Sequence, residues 1–358
     1  LADRIYLDHA ATTKMTEAAI AAVEQGMRGW ANPSSPHAEG RAARAALEDA
    51  RARIAAAYGW AHELVLTSGA SESLHLALGR SMAEHRLITA VEHDSVLRHS
   101  EGASVLPVGA DGILDLDVLV RALEGKGRTL LCVQWANSET GVRQPLAAIA
   151  EVVHAAGGIL LVDAAQMPAR ADDAVLRHAD LVAVSAHKRG GPSGIGALLV
   201  RDFGVLLPMG GQEKGYRAGT ENLPGALGYA AAVEEPEDFA RTAALRARLE
   251  DAIRSAGGEV VGAASPRSPL IGAYRMPGVT SAAQLIRFDL AGISVSAGSA
   301  CSSGSMRPSH VLTAMGWGEP ELREVVRVSF GRTTTESDVN RFVELWRTIA
   351  AEARTRAA

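Results

Sequence analysis

In the stretch VSAHKRGGPSGIG (184–196) a lysine closes an apolar run and is followed almost at once by glycines. That pattern puts Lys188 where a strand ends and the backbone turns tightly, with its amine projecting into a cleft. Ser185 and His187 stand beside it. An amine kept near a hydroxyl and an imidazole can be held uncharged and oriented to attack a carbonyl. Taken alone, the stretch also describes a surface turn with a solvated lysine, so other groups must decide. TSGASES (67–73) lies between a short apolar run and an Ala/Leu periodic run. That is the place of a helix N-terminus, where backbone N–H groups and the helix dipole favour an anion. Asp163 ends the apolar run ILLVD, Gln166 follows three residues on, and His93 closes LITAVEH. A carboxylate so placed can keep a pyridine nitrogen protonated, an amide can donate to a ring oxygen, and an imidazole can stack and move protons. Singly, each has a plain structural explanation as a cap or an ion-pair partner. Together, an amine, an acid, an imidazole and an anion site fall at strand ends, where open α/β sheets bind their ligands. The combination points to pyridoxal phosphate (PLP) held on Lys188 as a Schiff base.

The chain has two cysteines, Cys132 and Cys301. Two cannot make a disulfide framework, so a reducing cytoplasm is the expected setting. Cys132 lies inside the apolar run TLLCVQWA and reads as core. Cys301 lies in SAGSACSSGSMRPSH, among small residues with almost nothing to bury it, so its thiol is expected to be exposed and able to react. Arg327, in VVRVSFGR, offers a two-pronged donor suited to a substrate carboxylate, with a surface ion pair as the plainer alternative.

The elements that must position these groups read as α/β. Strands are expected at 64–67, 87–93, 104–109, 129–136, 159–166, 181–187 and 194–202, several of them apolar on both alternations, as in a mainly parallel sheet covered on both faces. A long Ala/Arg/Glu helix follows the Ser/Pro-rich start ANPSSPH and stops at Gly59. After about residue 236 the pattern shifts. A helix over 239–256 carries Leu245, Leu249 and Ile253 on one stripe; short strands are expected at 259–262, 271–276 and 325–331, with a helix at 281–290. The closing helix begins near Thr335, with Val339, Phe342, Val343, Trp346 and Ile349 at core spacing. This divides the chain into an N-terminal segment (1–14) packing with the small domain, a large domain (15–235) and a small α+β domain (236–358). A chain of 358 residues is long for one compact unit. The net charge of −5, with basic residues spread among acidic ones, argues against nucleic acid or an anionic membrane as partner. No apolar run approaches the roughly 20 residues of a membrane span, and LADRIYLDHAATT lacks the pattern of a signal peptide.

With these residues in view, the chain resembles the cysteine desulfurases of the NifS/IscS type, within the fold-type-I PLP enzymes. The likeness runs through YLDHAATT (6–13), NPSSPH (32–37), TSGASES, EHDSVL (92–97), ANSETGV (136–142), VDAAQ (162–166), SAHK (185–188), RAGTEN (217–222), SAGSACSSG (296–304) and RVSFGR (327–332). It implies a large domain with a mainly parallel seven-stranded sheet between helices, and a smaller α+β domain. It implies that Lys188 binds PLP and shuttles the proton, Asp163 pairs with the pyridine nitrogen, His93 stacks on the ring, and Gln166 meets the phenolic oxygen. Ala70, Ser71, Ser185 and His187 would hold the phosphate, and Thr220 would reach the phosphate of the other subunit in a homodimer. Asn32 and Arg327 would hold the carboxylate of L-cysteine. Cys301, in the long mobile loop of one group within the family, would take the sulfur as a persulfide and pass it to an acceptor protein, an iron–sulfur scaffold or a thiolation carrier. The chain departs from the usual pattern at His9, at Ser193, and at Ser138, where a second asparagine that contacts the cofactor is common. The alternatives are a selenocysteine lyase or another PLP-dependent β-lyase, an aminotransferase, and a sulfur-carrier partner that needs an accessory protein.

Overall fold

Runs that are apolar at successive positions must be covered on both sides, and they are. TLLCVQ, ILLVD, LVAVS and GALLV are buried at every residue. The computed structural model describes residues 4–298 and 308–357. Among these, twelve strands follow in chain order: β1 (Ile5–Tyr6), β2 (Glu63–Thr67), β3 (His85–Thr89), β4 (Ser104–Leu106), β5 (Thr129–Gln134), β6 (Ile159–Asp163), β7 (Leu181–Ser185), β8 (Gly196–Val200), β9 (Glu259–Val260), β10 (Ile271–Arg275), β11 (Ile293–Ser294) and β12 (Val325–Ser329). The main sheet has seven strands in the order β2-β8-β7-β6-β5-β3-β4. All its pairings are parallel except those of β8, which runs antiparallel to β7 and β2. The α/β, mainly parallel seven-stranded architecture is therefore as expected.

Register decides where the chemistry lies. Gln134 pairs with Asp163, Asp163 with Ala183, Ser185 with Gly196, and Gly196 with Thr67. The carboxyl ends of β2, β5, β6 and β7 thus share one edge of the sheet. The helices α1 (Glu17–Arg28), α2 (Ala38–Tyr58), α3 (Ala70–Arg80) and the short α4 (Asp94–Leu97) lie in the first part of the chain. α2 buries Leu47, Ile54 and Tyr58 against alternate residues of the strands, including Leu160 and Val162. α3 buries Leu74, Ala77 and Leu78 on the opposite face, against Leu161 and Cys132. Cys132 is core, as its run suggested. The start of α2 is capped by His37, whose Nδ1 accepts from Gly40 N, rather than by a serine. Its end is Gly59, at φ 69°.

A separate core joins Ile5 and Leu7 to Leu245, Leu249, Ile253, Phe288, Phe342 and Trp346. Phe288 stacks on Phe342 at 4.7 Å between ring centres. The three-stranded sheet β12-β10-β9 and the pair β1-β11 belong to this part of the chain. The first strand therefore packs with the last third of the sequence. No helix among the described residues is long and apolar enough to cross a membrane.

Candidate active site

The sheet edge that carries Asp163 and Ser185 opens into a cavity of about 700 Å³. Ala70, Ser71, His93, Ser138, Asp163, Gln166, Ser185, His187, Lys188 and Arg327 all line it. Ten residues singled out from the sequence, up to 257 positions apart, are brought together there. Asn32 and Thr220 do not line it. Both are exposed, and Asn32 Oδ1 accepts from Ser34 N at 2.8 Å. Cys301 lies outside the described residues.

The anion end is built by backbone. Gly69 caps α3 without any side-chain hydrogen bond to the helix's free N–H groups, so the start of the helix at Ala70 and Ser71 faces the cavity uncapped, while Ser68 N donates to Glu72 Oε2. Gly69 (φ 150°) and Gly196 pack so closely that a Cβ on Gly196 would stand 2.6 Å from Gly69 Cα and 2.6 Å from Val184 O. A methyl group there would push the anion turn off the sheet.

At the other end, Lys188 follows β7 and faces the cavity. Desolvation pushes its amine down to about 8; Asp163 opposes the shift, while Arg327 and Arg189 add to it. A minority of the amine, far more than for an ordinary lysine, is therefore neutral near physiological pH, the form that imine chemistry requires. Asp163 is buried, and its Oδ1 accepts from Ala165 N at 3.0 Å. Gln166 donates from Nε2 to Ala10 O at 2.9 Å, and its buried Oε1 has no protein partner. His93 caps α4: its Nδ1 accepts from Ser95 N at 3.1 Å, which leaves the proton of the neutral ring on Nε2. Desolvation and then Lys188 lower its pKa. His187 is held down to about 4 by desolvation, Lys188 and Arg189, so it is a neutral ring.

Arg327 is committed on the protein side. Nη2 donates to Asp8 Oδ1 at 2.6 Å and Nη1 to the Ser138 carbonyl at 3.0 Å, while its buried Nε has no partner. Both terminal nitrogens of Arg327 are thus taken up by the protein itself. Asn137 is buried and organises the turn: Oδ1 accepts from Glu139 N and Thr140 N, each at 2.9 Å, which presents Ser138 to the cavity.

Five acids on the cavity wall, Asp8, Glu72, Glu92, Asp94 and Glu139, carried no assigned role in the sequence. Asp8 was visible only within YLDHAATT, since its partner Arg327 lies 319 residues away. Glu92, immediately before His93, is fully buried, and its Oε1 accepts from Thr89 Oγ1 (2.6 Å) and Gln134 N (3.2 Å). Desolvation pushes its carboxyl up to about 8, so it is neutral at pH 7. Glu139 is also raised by desolvation, and it accepts from Ser309 Oγ at 2.6 Å. Among the described residues no three His, Cys, Asp or Glu side chains come together as a metal site.

The residues fit PLP. There is an amine with a lowered pKa, a buried carboxylate and an uncapped helix N-terminus, all on one cavity. Residues 5–342 match the model of the aminotransferase class-V family. The chain belongs to that family. Its relatives include a cysteine desulfurase of Gluconacetobacter diazotrophicus, 37% identical over 98% of this chain and 94% of the relative. The solved structure of a NifS-like protein from Rickettsia africae superposes with a TM-score of 0.88 at 31% identity, covering 97% of this chain and 99% of that one. The protein SspA, solved in complex with cysteine, superposes at 0.78 with 31% identity over 92% of this chain and all of its own. This class-V aminotransferase is thus a PLP-dependent enzyme of the cysteine desulfurase group.

Proposed function

We propose that this cysteine desulfurase moves the sulfur of L-cysteine onto Cys301 as a persulfide, releases L-alanine, and passes the sulfur to an acceptor protein, working as a homodimer in the cytoplasm. The observation that carries the reading is the convergence of Lys188, Asp163 and the uncapped start of α3 on one cavity. Bound PLP supplies an electron sink for the charge that develops at the amino-acid α-carbon when its proton leaves. Asp163 holds the pyridine nitrogen protonated. Ala70, Ser71, Ser185 and His187 hold the phosphate, Gln166 and Ser138 bracket the ring oxygen, and His93 covers the ring face. Lys188 Nζ holds the cofactor and then takes the α-proton, which its lowered pKa permits. Arg327 binds the carboxylate; Asn32, which does not line the cavity of this single chain, is assigned to the same carboxylate on the family likeness alone. Cys301 Sγ attacks the substrate sulfur, the C–S bond breaks, and the thiol proton and the one on Lys188 remain to complete alanine. Cysteine plus the enzyme thiol becomes alanine plus the enzyme persulfide, with no external oxidant.

Exposure of Thr220, away from its own chain's cavity, supports its service to a second copy. The domain division at residues 14 and 235 belongs to the same reading, with Cys301 carried by the C-terminal part. The acceptor is an iron–sulfur scaffold or a thiolation carrier. The test is to add cysteine to purified protein and quantify alanine and sulfide. Cys301→Ala keeps the yellow colour of bound PLP and loses alanine formation, whereas Lys188→Ala loses the covalent cofactor band. Normal alanine production by Cys301→Ala overturns the assignment.

A further inference from the structure

The segment that carries Thr220 is held in a conformation that its sequence does not favour. Among the described residues, three non-glycine residues have φ in the left-handed region, and two are consecutive here: Glu213 at 51° and Lys214 at 56°. Side chains with a Cβ rarely adopt this region, and such backbone persists only where its surroundings fix it. Gly210, Gly211, Gly215 and Gly219 have positive φ as well. The turn is knotted by its own backbone, with Gly215 N on Gln212 O and Tyr216 N on Glu213 O.

What fixes it is α2. Arg51 donates from Nη1 to Glu213 Oε2 at 2.6 Å and from Nη2 to Glu213 Oε1 at 3.0 Å, a bidentate pair in which the Glu213 side chain has no exposure at all. The same carboxylate accepts from Leu66 N at 2.8 Å, and Arg51 also donates to Leu64 O at 2.9 Å, so the pair is riveted to β2. Two turns earlier on the same face of α2, Arg44 lies 3.5 Å from Glu221, whose side chain is likewise unexposed. Between the two, Arg217 donates to Glu72 Oε1 at 3.0 Å, on the first turn of α3. The strained stretch is therefore clamped before, within and just after the residues leading to Thr220, and Thr220 itself is left exposed.

We propose that Arg51 and Glu213, assisted by Arg44 and Glu221, are positioning residues that hold the 213–221 segment strained so that Thr220 is presented, preformed, to the phosphate site of a second copy of the chain. This rests on the reading of Thr220 given above. The clamp acts on phosphate binding across the dimer and leaves the imine chemistry at Lys188 untouched. Relief of the backbone strain by other means replaces it.

The experiment titrates PLP, and pyridoxal, which lacks the phosphate, into cofactor-stripped full-length protein, following the absorbance of the lysine-bound form. Thr220→Ala and Glu213→Gln each weaken PLP on the order of tenfold, the weight of a hydrogen bond to a charged group, and leave pyridoxal uptake unchanged. Adding Lys214→Gly, which takes a positive φ without strain, to Glu213→Gln returns most of the lost PLP affinity. If Thr220→Ala binds PLP as the wild type does, the reading of Thr220 fails and the clamp's role fails with it. If Thr220→Ala is weakened but Glu213→Gln is not, the clamp alone is refuted. Equal loss of PLP and pyridoxal in Glu213→Gln, or no recovery with Lys214→Gly, shows a general stabilising role and overturns the inference.

Discussion

Lys188 and Glu92 titrate near the same pH for the same reason, desolvation, which favours the neutral form of each. The amine of Lys188 is pushed down to about 8, so cofactor-stripped protein should take up PLP faster as pH rises through about 8, where the neutral amine becomes the majority form. A rate of absorbance change that is flat across that range would contradict the shift. Glu92 has its pKa raised from 4.5 to about 8 in the folded protein. The folded state therefore binds more protons than the unfolded state across that window, and stability falls as pH rises through it. In Glu92→Gln that fall is removed, so urea unfolding of stripped protein should show the variant gaining on the wild type from about pH 5 to about pH 8. Lys188, Asp163 and His93 were legible in the sequence because the strand or helix that places each is adjacent to it. Asp8 and Glu92 were not, because what matters about them is made elsewhere. The partner of Asp8 comes from β12, and Glu92 is shut in by Thr89 and Gln134.

The seven strands of the main sheet were legible in number but ran too long at their carboxyl ends, and neither the two-residue β1 nor the order of strands in the sheet was legible. The sequence pattern extends to His93, Ala136, Gln166 and His187, whereas β3, β5, β6 and β7 stop at Thr89, Gln134, Asp163 and Ser185. Most of the residues between, such as Val91, Ala136 and Ala165, are small or buried and wall the cavity, so an apolar pattern continues after the hydrogen-bond ladder has ended. The same closeness gives a prediction for β8 and α3. Gly196→Ala would place a methyl against Gly69 Cα and Val184 O, displacing the anion turn at the end of β2. A PLP titration should show affinity reduced on the order of tenfold or more. Unaltered affinity would mean that the α3 N-terminus does not hold the phosphate. The reversal of β8 had no signature in composition, since the apolar run GALLV carries no mark of strand direction.

At the scale of the whole molecule, each site is read as requiring Lys188 from one chain and Thr220 from another. Mixed dimers of Lys188→Ala and Thr220→Ala then contain one intact site and one doubly altered site. Assayed at PLP too dilute to fill the Thr220→Ala site, activity recovered on mixing, unfolding and refolding the two variants together supports shared sites, and recovery no greater than the sum of the separate variants opposes them. The family likeness across residues 5–342, with cysteine desulfurases among the relatives, gives the cofactor and the reaction class. The central claim is that an amine at 188 and a thiol at 301 act on one substrate. It is tested most directly by mixing the PLP-loaded enzyme with one equivalent of cysteine and analysing the Cys301 peptide and the free amino acids by mass spectrometry. The account predicts one added sulfur atom on Cys301 together with an equal amount of alanine; alanine released while Cys301 stays unmodified, or sulfur lodged on Cys132 instead, would contradict it.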